Sequence, residues 1–109
     1  MDTFLERKGA NYFGTEGPGF GMFEIRGNGD LALTNEGVRF YRWLPGKEFF
    51  IPFTAIKEVT IGMSHKGKTK GIPVLKIRYQ LGADEFVFGV ATGGDDARWK
   101  EEIEKHLSV

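Results

Sequence analysis

The chain has no cysteine among its 109 residues. That absence excludes thiol catalysis, disulfide staples and zinc sites built on cysteine. Histidine occurs only twice, as His65 and His106, in no spacing that suits a catalytic triad or a metal centre. Proline occurs four times, and no Pro/Gly/Ser-rich linker divides two apolar segments. Net charge is also missing, since fifteen basic side chains cancel fifteen acidic ones. No apolar run approaches the ~20 residues that a helix needs to cross a bilayer. The opening Met1–Lys8 has no apolar stretch fit for a signal peptide. The expected location is cytoplasmic, with peripheral contact at the inner membrane face as an extension of that expectation.

What is present suits one folded unit. Hydrophobic residues make up 40% of a 12.2 kDa chain. For that mass the folded surface should be roughly 6,000 Å², against roughly 17,700 Å² unfolded. This is enough burial for one core, so residues 1–109 are expected to form one domain, with residues 1–9 a loose lead-in. The zero net charge is a cancellation between segments. Residues 57–83 carry a net +5, residues 84–109 a net −4, and residues 1–56 a net −1. Such asymmetry bears on surfaces, not on the fold.

Most of the chain alternates with period two. Leu31 and Leu33 point one way. Val38 and Phe40 share a face, and Arg39, Tyr41 and Trp43 share the other. Phe49 and Ile51 alternate with Phe50; Val59, Ile61 and Met63 form the clearest half-buried strand; Leu75, Ile77 and Tyr79, then Phe86, Phe88 and Val90, complete the pattern. Turn residues fall between these runs at 27–30, 35–37, 44–46 and 81–84, a spacing that makes antiparallel neighbours. With Gly21–Arg26 counted as the first, about seven strands are expected. One helix is predicted over Asp95–Leu107, where Trp99, Ile103 and Leu107 make a narrow apolar stripe. Thr92 or Asp95 can cap its start. A stripe this narrow suits a lid over one opening of a barrel.

Seven short antiparallel strands followed by one amphipathic helix with a central Trp resemble the pleckstrin-homology superfold. Finer features resemble its GRAM branch, as a bacterial-type single-domain relative. Gly29-Asp30-Leu31-Ala32-Leu33-Thr34-Asn35 is similar to that family's G-x-L-x-L-T-N stretch, and Val38-Arg39-Phe40 to its apolar-x-Phe strand. Ala10-Asn11-Tyr12-Phe13 resembles its lead-in, and Ile51-Pro52-Phe53 with Ile56 and Val59 resembles the segment that turns between sheets. The resemblance runs from about residue 10 to 107. It implies a mainly β, partly open barrel capped by one C-terminal helix, acting as a non-catalytic binding or scaffold module. Its phosphoinositide pocket would lie among the loops after strands 1, 3 and 6. Those loops read here as Gly27-Asn28-Gly29, Leu44-Pro45-Gly46-Lys47 and Leu81-Gly82-Ala83-Asp84, with only Arg26 and Lys47 basic, which argues against tight headgroup binding.

Two sets of residues are candidate contacts. His65, Lys66, Lys68 and Lys70 place cations between two strands with no acidic neighbour, as for phosphate or anionic lipid. Each Lys near an anionic membrane contributes about 1 kcal/mol, so three need a second element to hold the protein there. Solvated lysines that discourage edge pairing are the competing account. Arg39, Tyr41 and Trp43 are the second set, a contact for a partner or a membrane; Trp43 equally suits cover for the sheet's outer face. Gly62–Thr69 satisfies the phosphate-loop pattern G-x-x-x-x-G-K-S/T, yet Gly71 and Pro73 fall where its helix must run, so nucleotide binding is not expected. Nucleic acid is not expected at zero net charge. No catalytic group, metal or cofactor is expected. The reading is a module for protein–protein or membrane-surface contact, with strand addition at an open sheet edge as one mode; its alternative is a peripheral anionic-lipid-binding domain using loop 65–71.

Overall fold

A computed structural model describes residues 2–21, 26–63, 65 and 71–107. Among these residues, seven antiparallel strands form one sheet: β1 (Thr3–Glu16), β2 (Gly27–Thr34), β3 (Gly37–Arg42), β4 (Lys47–Pro52), β5 (Ile56–Gly62), β6 (Val74–Leu81) and β7 (Asp84–Ala91). Their spatial order is β4-β3-β2-β1-β7-β6-β5. The edges β4 and β5 do not pair, so the sheet curls without closing. A single turn of 3₁₀ helix, Phe53–Ala55, joins β4 to β5, and α1 (Asp96–Lys105) ends the fold. The mainly β architecture with one C-terminal helix is as expected.

The first strand is the main correction. It is neither Gly21–Arg26 nor preceded by a loose lead-in: β1 starts at Thr3 and runs through the middle of the sheet. Gly21 and Arg26 lie outside any strand, and residues 22–25 lie outside the described residues. Gly27–Asp30, expected as a turn, opens β2.

Strand β1 defeats a period-two reading because two bulges reset its alternation. Its N-terminal part pairs with β2, with a register shift between Lys8 and Ala10; its C-terminal part pairs with β7, with a shift between Tyr12 and Gly14. Each extra residue turns the strand over by one position and bends it. Gly9 and Gly14, at φ 83° and 110°, take up backbone conformations that side chains disfavour. As a result exposed Lys8 and buried Ala10 sit on opposite faces although both are even-numbered. Tyr12 and Thr15 both turn inward, where their hydroxyls share a 2.5 Å hydrogen bond.

Inside the curl, Tyr12 contacts Phe40, Phe49 and Phe88 at ring separations of 5.5, 4.7 and 5.1 Å. This cluster joins β3 and β4 to β7 across the interior, which the strand hydrogen bonds alone do not do. Helix α1 packs against β5 and β6 and inserts Trp99 and Ile103 into the same core, with Leu107 partly buried beside them. The expected stripe is thus the buried face. Capping differs from expectation: the Asp95 side chain makes no cap hydrogen bond, and Thr92 Oγ1 donates instead to the buried Asp96 carboxylate at 2.5 Å. The C-terminal end is held by His106, whose ring stacks on Phe53 at 4.5 Å and on Phe4 at 5.1 Å. Among the described residues no helix is long and apolar enough to cross a membrane.

Candidate functional site

The convex outer side of β1–β4 brings the second candidate set together. Cross-strand register aligns Lys8, Asp30, Tyr41 and Glu48 in one row and Glu6, Ala32, Arg39 and Phe50 in the next. Residues two apart on a strand share a face, so the two rows are adjacent on one surface. Ala32 lies between long side chains on both neighbours and is the low point. Glu6, Asp30, Arg39, Tyr41 and Glu48 surround it, lining a depression of about 250 Å³. Tyr41 and Trp43 are each 46% exposed, and Phe50 is 43% exposed. An exposed aromatic group on a sheet face is unusual enough to mark a contact surface.

Within this face the polar groups are only loosely engaged. Arg39 Nη1 lies 3.9 Å from Glu48 Oε1, and both side chains are well exposed. Such a pair contributes little and can be exchanged for another partner. Asp30 Oδ1 is shielded from solvent and has no hydrogen-bond partner among the described residues. Trp43 begins the β3–β4 turn, its N–H donates to the Asn28 carbonyl at 3.0 Å, and its ring edge lies over Gly9 of β1. It therefore covers part of the N-terminal strand while leaving nearly half its surface to solvent.

Of the first candidate set, only His65 lies among the described residues. His65 is not an exposed loop cation; it is 1% exposed, and its ring lies against Gly89 of β7. A carbonyl can only accept, so His65 Nε2–H donates to the Gly14 carbonyl, at 2.8 Å, while Nδ1 sits 3.7 Å from Glu16 Oε1. A ring with its edge against the Gly14 carbonyl and no exposed face is a packing residue and cannot meet a membrane. The physical cause is the pair of facing glycines, Gly14 and Gly89, which leaves room for an imidazole on the outer side of the sheet. Phe13, Val74 and Ala91 form a small buried cluster separate from the main core. Lys66, Lys68 and Lys70 lie outside the described residues.

A Cβ added at Gly89 would come within 2.4 Å of the His65 ring. Gly89→Val is accordingly expected to expel the ring and to destabilise the fold by about 1–3 kcal/mol, measured by chemical denaturation. A loss below about 0.5 kcal/mol would mean that His65 is not held where the geometry puts it.

Other features carry less chemistry. A concavity of about 340 Å³ is bounded, among the described residues, by Ile72, Pro73, Gly93 and Gly94, none of which carries a side-chain donor or acceptor. No group of three His, Asp or Glu residues suited to a metal ion occurs among the described residues. The Lys105 ammonium is held above its ordinary pKa by its hydrogen bond to Glu102 and that carboxylate's charge, a surface pairing along α1.

Sequence reasoning found Arg39, Tyr41 and Trp43 from their alternation with Val38 and Phe40. It missed Glu6, Asp30, Glu48 and Phe50, which join them only through pairing across four strands. Asp30 and Phe50 could have been found from their own alternation with Leu31 and with Phe49 and Ile51. Glu6 could not, because the Gly9 bulge hides the phase of β1. A scan against protein-family models finds no family that matches this chain, and a search of curated proteins finds no match either.

Proposed function

We propose that this chain is a non-catalytic binding module of the pleckstrin-homology or GRAM kind, and that it docks a protein partner on the outer face of β1–β4. The observation that carries the reading is that half-exposed Tyr41 lines the depression over Ala32, while Phe50, paired with Arg39, and Trp43, at the turn after β3, are also half-exposed. Aromatic side chains contribute most where they become desolvated at a partner's surface. Strand order and the single helix support the fold half of the reading. The mechanism is surface complementarity, with no bond made or broken.

The test is affinity capture from a lysate of the source cells, quantified by mass spectrometry, comparing the wild type with Tyr41→Ala/Trp43→Ala. Capture of at least one protein should fall about tenfold or more in the double variant, in line with two aromatic anchors. Circular dichroism should show the fold unchanged. Equal capture by both proteins overturns the reading. So does co-sedimentation with anionic but not neutral vesicles that Lys66→Ala/Lys68→Ala/Lys70→Ala abolishes; that result establishes the lipid-binding alternative instead.

A further inference from the structure

We infer that the free edge of β5 pairs with β5 of a second copy of this chain, antiparallel and centred on Thr60, so that the sheet continues across a two-fold axis. This edge stands at the opposite end of the strand order from β4, and the inference is independent of the docking face on β1–β4. Among the described residues no strand lies beyond β5. Alternate N–H and C=O groups along it point away from β6 with no strand to receive them, which is the template for strand addition. Of the two edges, β4 ends in Pro52, which has no N–H to give, whereas β5 contains no proline. Its middle, Val59-Thr60-Ile61, is β-branched throughout, which suits an extended, paired strand. Ile61 lies on the same face as buried Val59, yet it is 40% exposed. With the axis on Thr60, Ile61 stands opposite Val59 of the second copy, which covers it.

Charge selects the occupant and the register. Glu58 lies 3.4 Å from Arg78, and Arg78 also lies 3.4 Å from Glu85, so two carboxylates share one guanidinium. Lys76 has no carboxylate partner among the described residues. Its ammonium lies over the bare backbone of Gly62, where an added Cβ would be 3.3 Å from Nζ. Each copy thus carries one carboxylate in excess and one ammonium in excess beside the same edge. With the axis on Thr60, Glu58 stands opposite Gly62 of the second copy. Opposed side chains have their Cβ atoms about 4.5–5.5 Å apart, so the Glu58 carboxylate reaches the ammonium of Lys76 that covers that glycine. The two-fold axis makes this contact twice. At the axis Thr60 faces its own copy, a favourable cross-strand pair. An axis on Glu58 would instead set two carboxylates against each other.

Sedimentation velocity of the full-length protein from about 5 to about 500 μM should show a reversible monomer–dimer equilibrium, weak because one strand pair buries less than about 1,200 Å². Glu58→Lys and Lys76→Glu should each weaken the dimer about tenfold or more, since each sets like charges together at two places. An equimolar mixture of the two variants should recover the wild-type affinity within about threefold, because the mixed dimer restores both opposite-charge pairs. Circular dichroism should show both variants folded, as expected for changes at exposed or half-buried positions. A second arm uses the absence of cysteine from the chain. Across the axis the two Thr60 Cα atoms are about 4.5–5.5 Å apart, within disulfide range. Under mild oxidation Thr60→Cys should cross-link about tenfold faster than Glu58→Cys, whose two copies lie roughly 13 Å apart. A monomer at about 500 μM overturns the inference, as do equal cross-linking rates or a mixture that fails to recover the dimer. A dimer that keeps its affinity in both charge variants and loses it in Tyr41→Ala/Trp43→Ala also overturns it, and places the contact between copies on the β1–β4 face.

Discussion

Tyr12→Ala is expected to remove about 3–5 kcal/mol of stability, the range for deleting a large buried aromatic side chain. Tyr12 has no exposed surface, and its ring is in contact with three others drawn from β3, β4 and β7. This cluster ties the β4 edge of the sheet to β7 across the interior, where no strand pairing does so. A void there would cost the transfer free energy of the ring and its contacts to Phe40, Phe49 and Phe88 together. Against a total of about 5–15 kcal/mol for a domain, the variant should be marginal at room temperature. Tyr12→Phe keeps the ring and gives up the hydroxyl's bond to Thr15, for about 1 kcal/mol. Urea denaturation followed by circular dichroism measures both. A loss under about 1.5 kcal/mol for Tyr12→Ala would show that the interior is not organised around this ring.

Trp99→Ala should cost a similar amount, about 3–5 kcal/mol, by undocking α1 from β5 and β6. Trp99 is 2% exposed, and Ile103, one turn later, is fully buried with it. The protein's two tryptophans make the test clean. After Trp99→Ala the fluorescence comes only from Trp43, 46% exposed, and should be red-shifted and readily quenched by acrylamide. Trp43→Ala leaves the blue-shifted Trp99 signal and should cost about 1 kcal/mol or less, since half of that ring's surface already faces water. The contrast bears on function as well as on stability. Equal losses would make Trp43 a packing residue and remove one anchor of the docking face.

Much of the architecture was legible in sequence because its signals are local. Alternation located β2 through β7, and the turns at Asn35-Glu36, Trp43–Gly46 and Gly82-Ala83 lie between strands as expected. The helix announced itself through Trp99, Ile103 and Leu107. The candidate site was only half legible. Arg39, Tyr41 and Trp43 were visible as one face of one strand. Their partners were not, because Glu6 sits on a bulged strand and meets Arg39 only through Ala32. His65 was misplaced for a related reason: a Gly- and Lys-rich context predicts a solvated loop, and nothing nearby in sequence reveals the slot at Gly14 and Gly89.

By itself, then, the sequence determined a single-core, mainly β chain without thiol chemistry, the strand phases of β2–β4, β6 and β7, and a helix with one buried stripe; in β5, where Ile61 and Met63 are exposed, it did not. Those properties depend on residue type and on spacings of two to four, which act through near-neighbour geometry. Only the tertiary structure decided that Thr3–Glu16 is the central strand, that His65 is a packing residue, and that three carboxylates converge beside Tyr41. Each of these depends on pairings between residues far apart in the chain, such as Asn11 with Ala91 and Arg39 with Glu48. The neutral total charge shows the same division. Its segments could be summed from the sequence, but the gathering of Glu6, Asp30 and Glu48 required strands to be laid side by side, and that register is set by bulges, turns and the shared aromatic core.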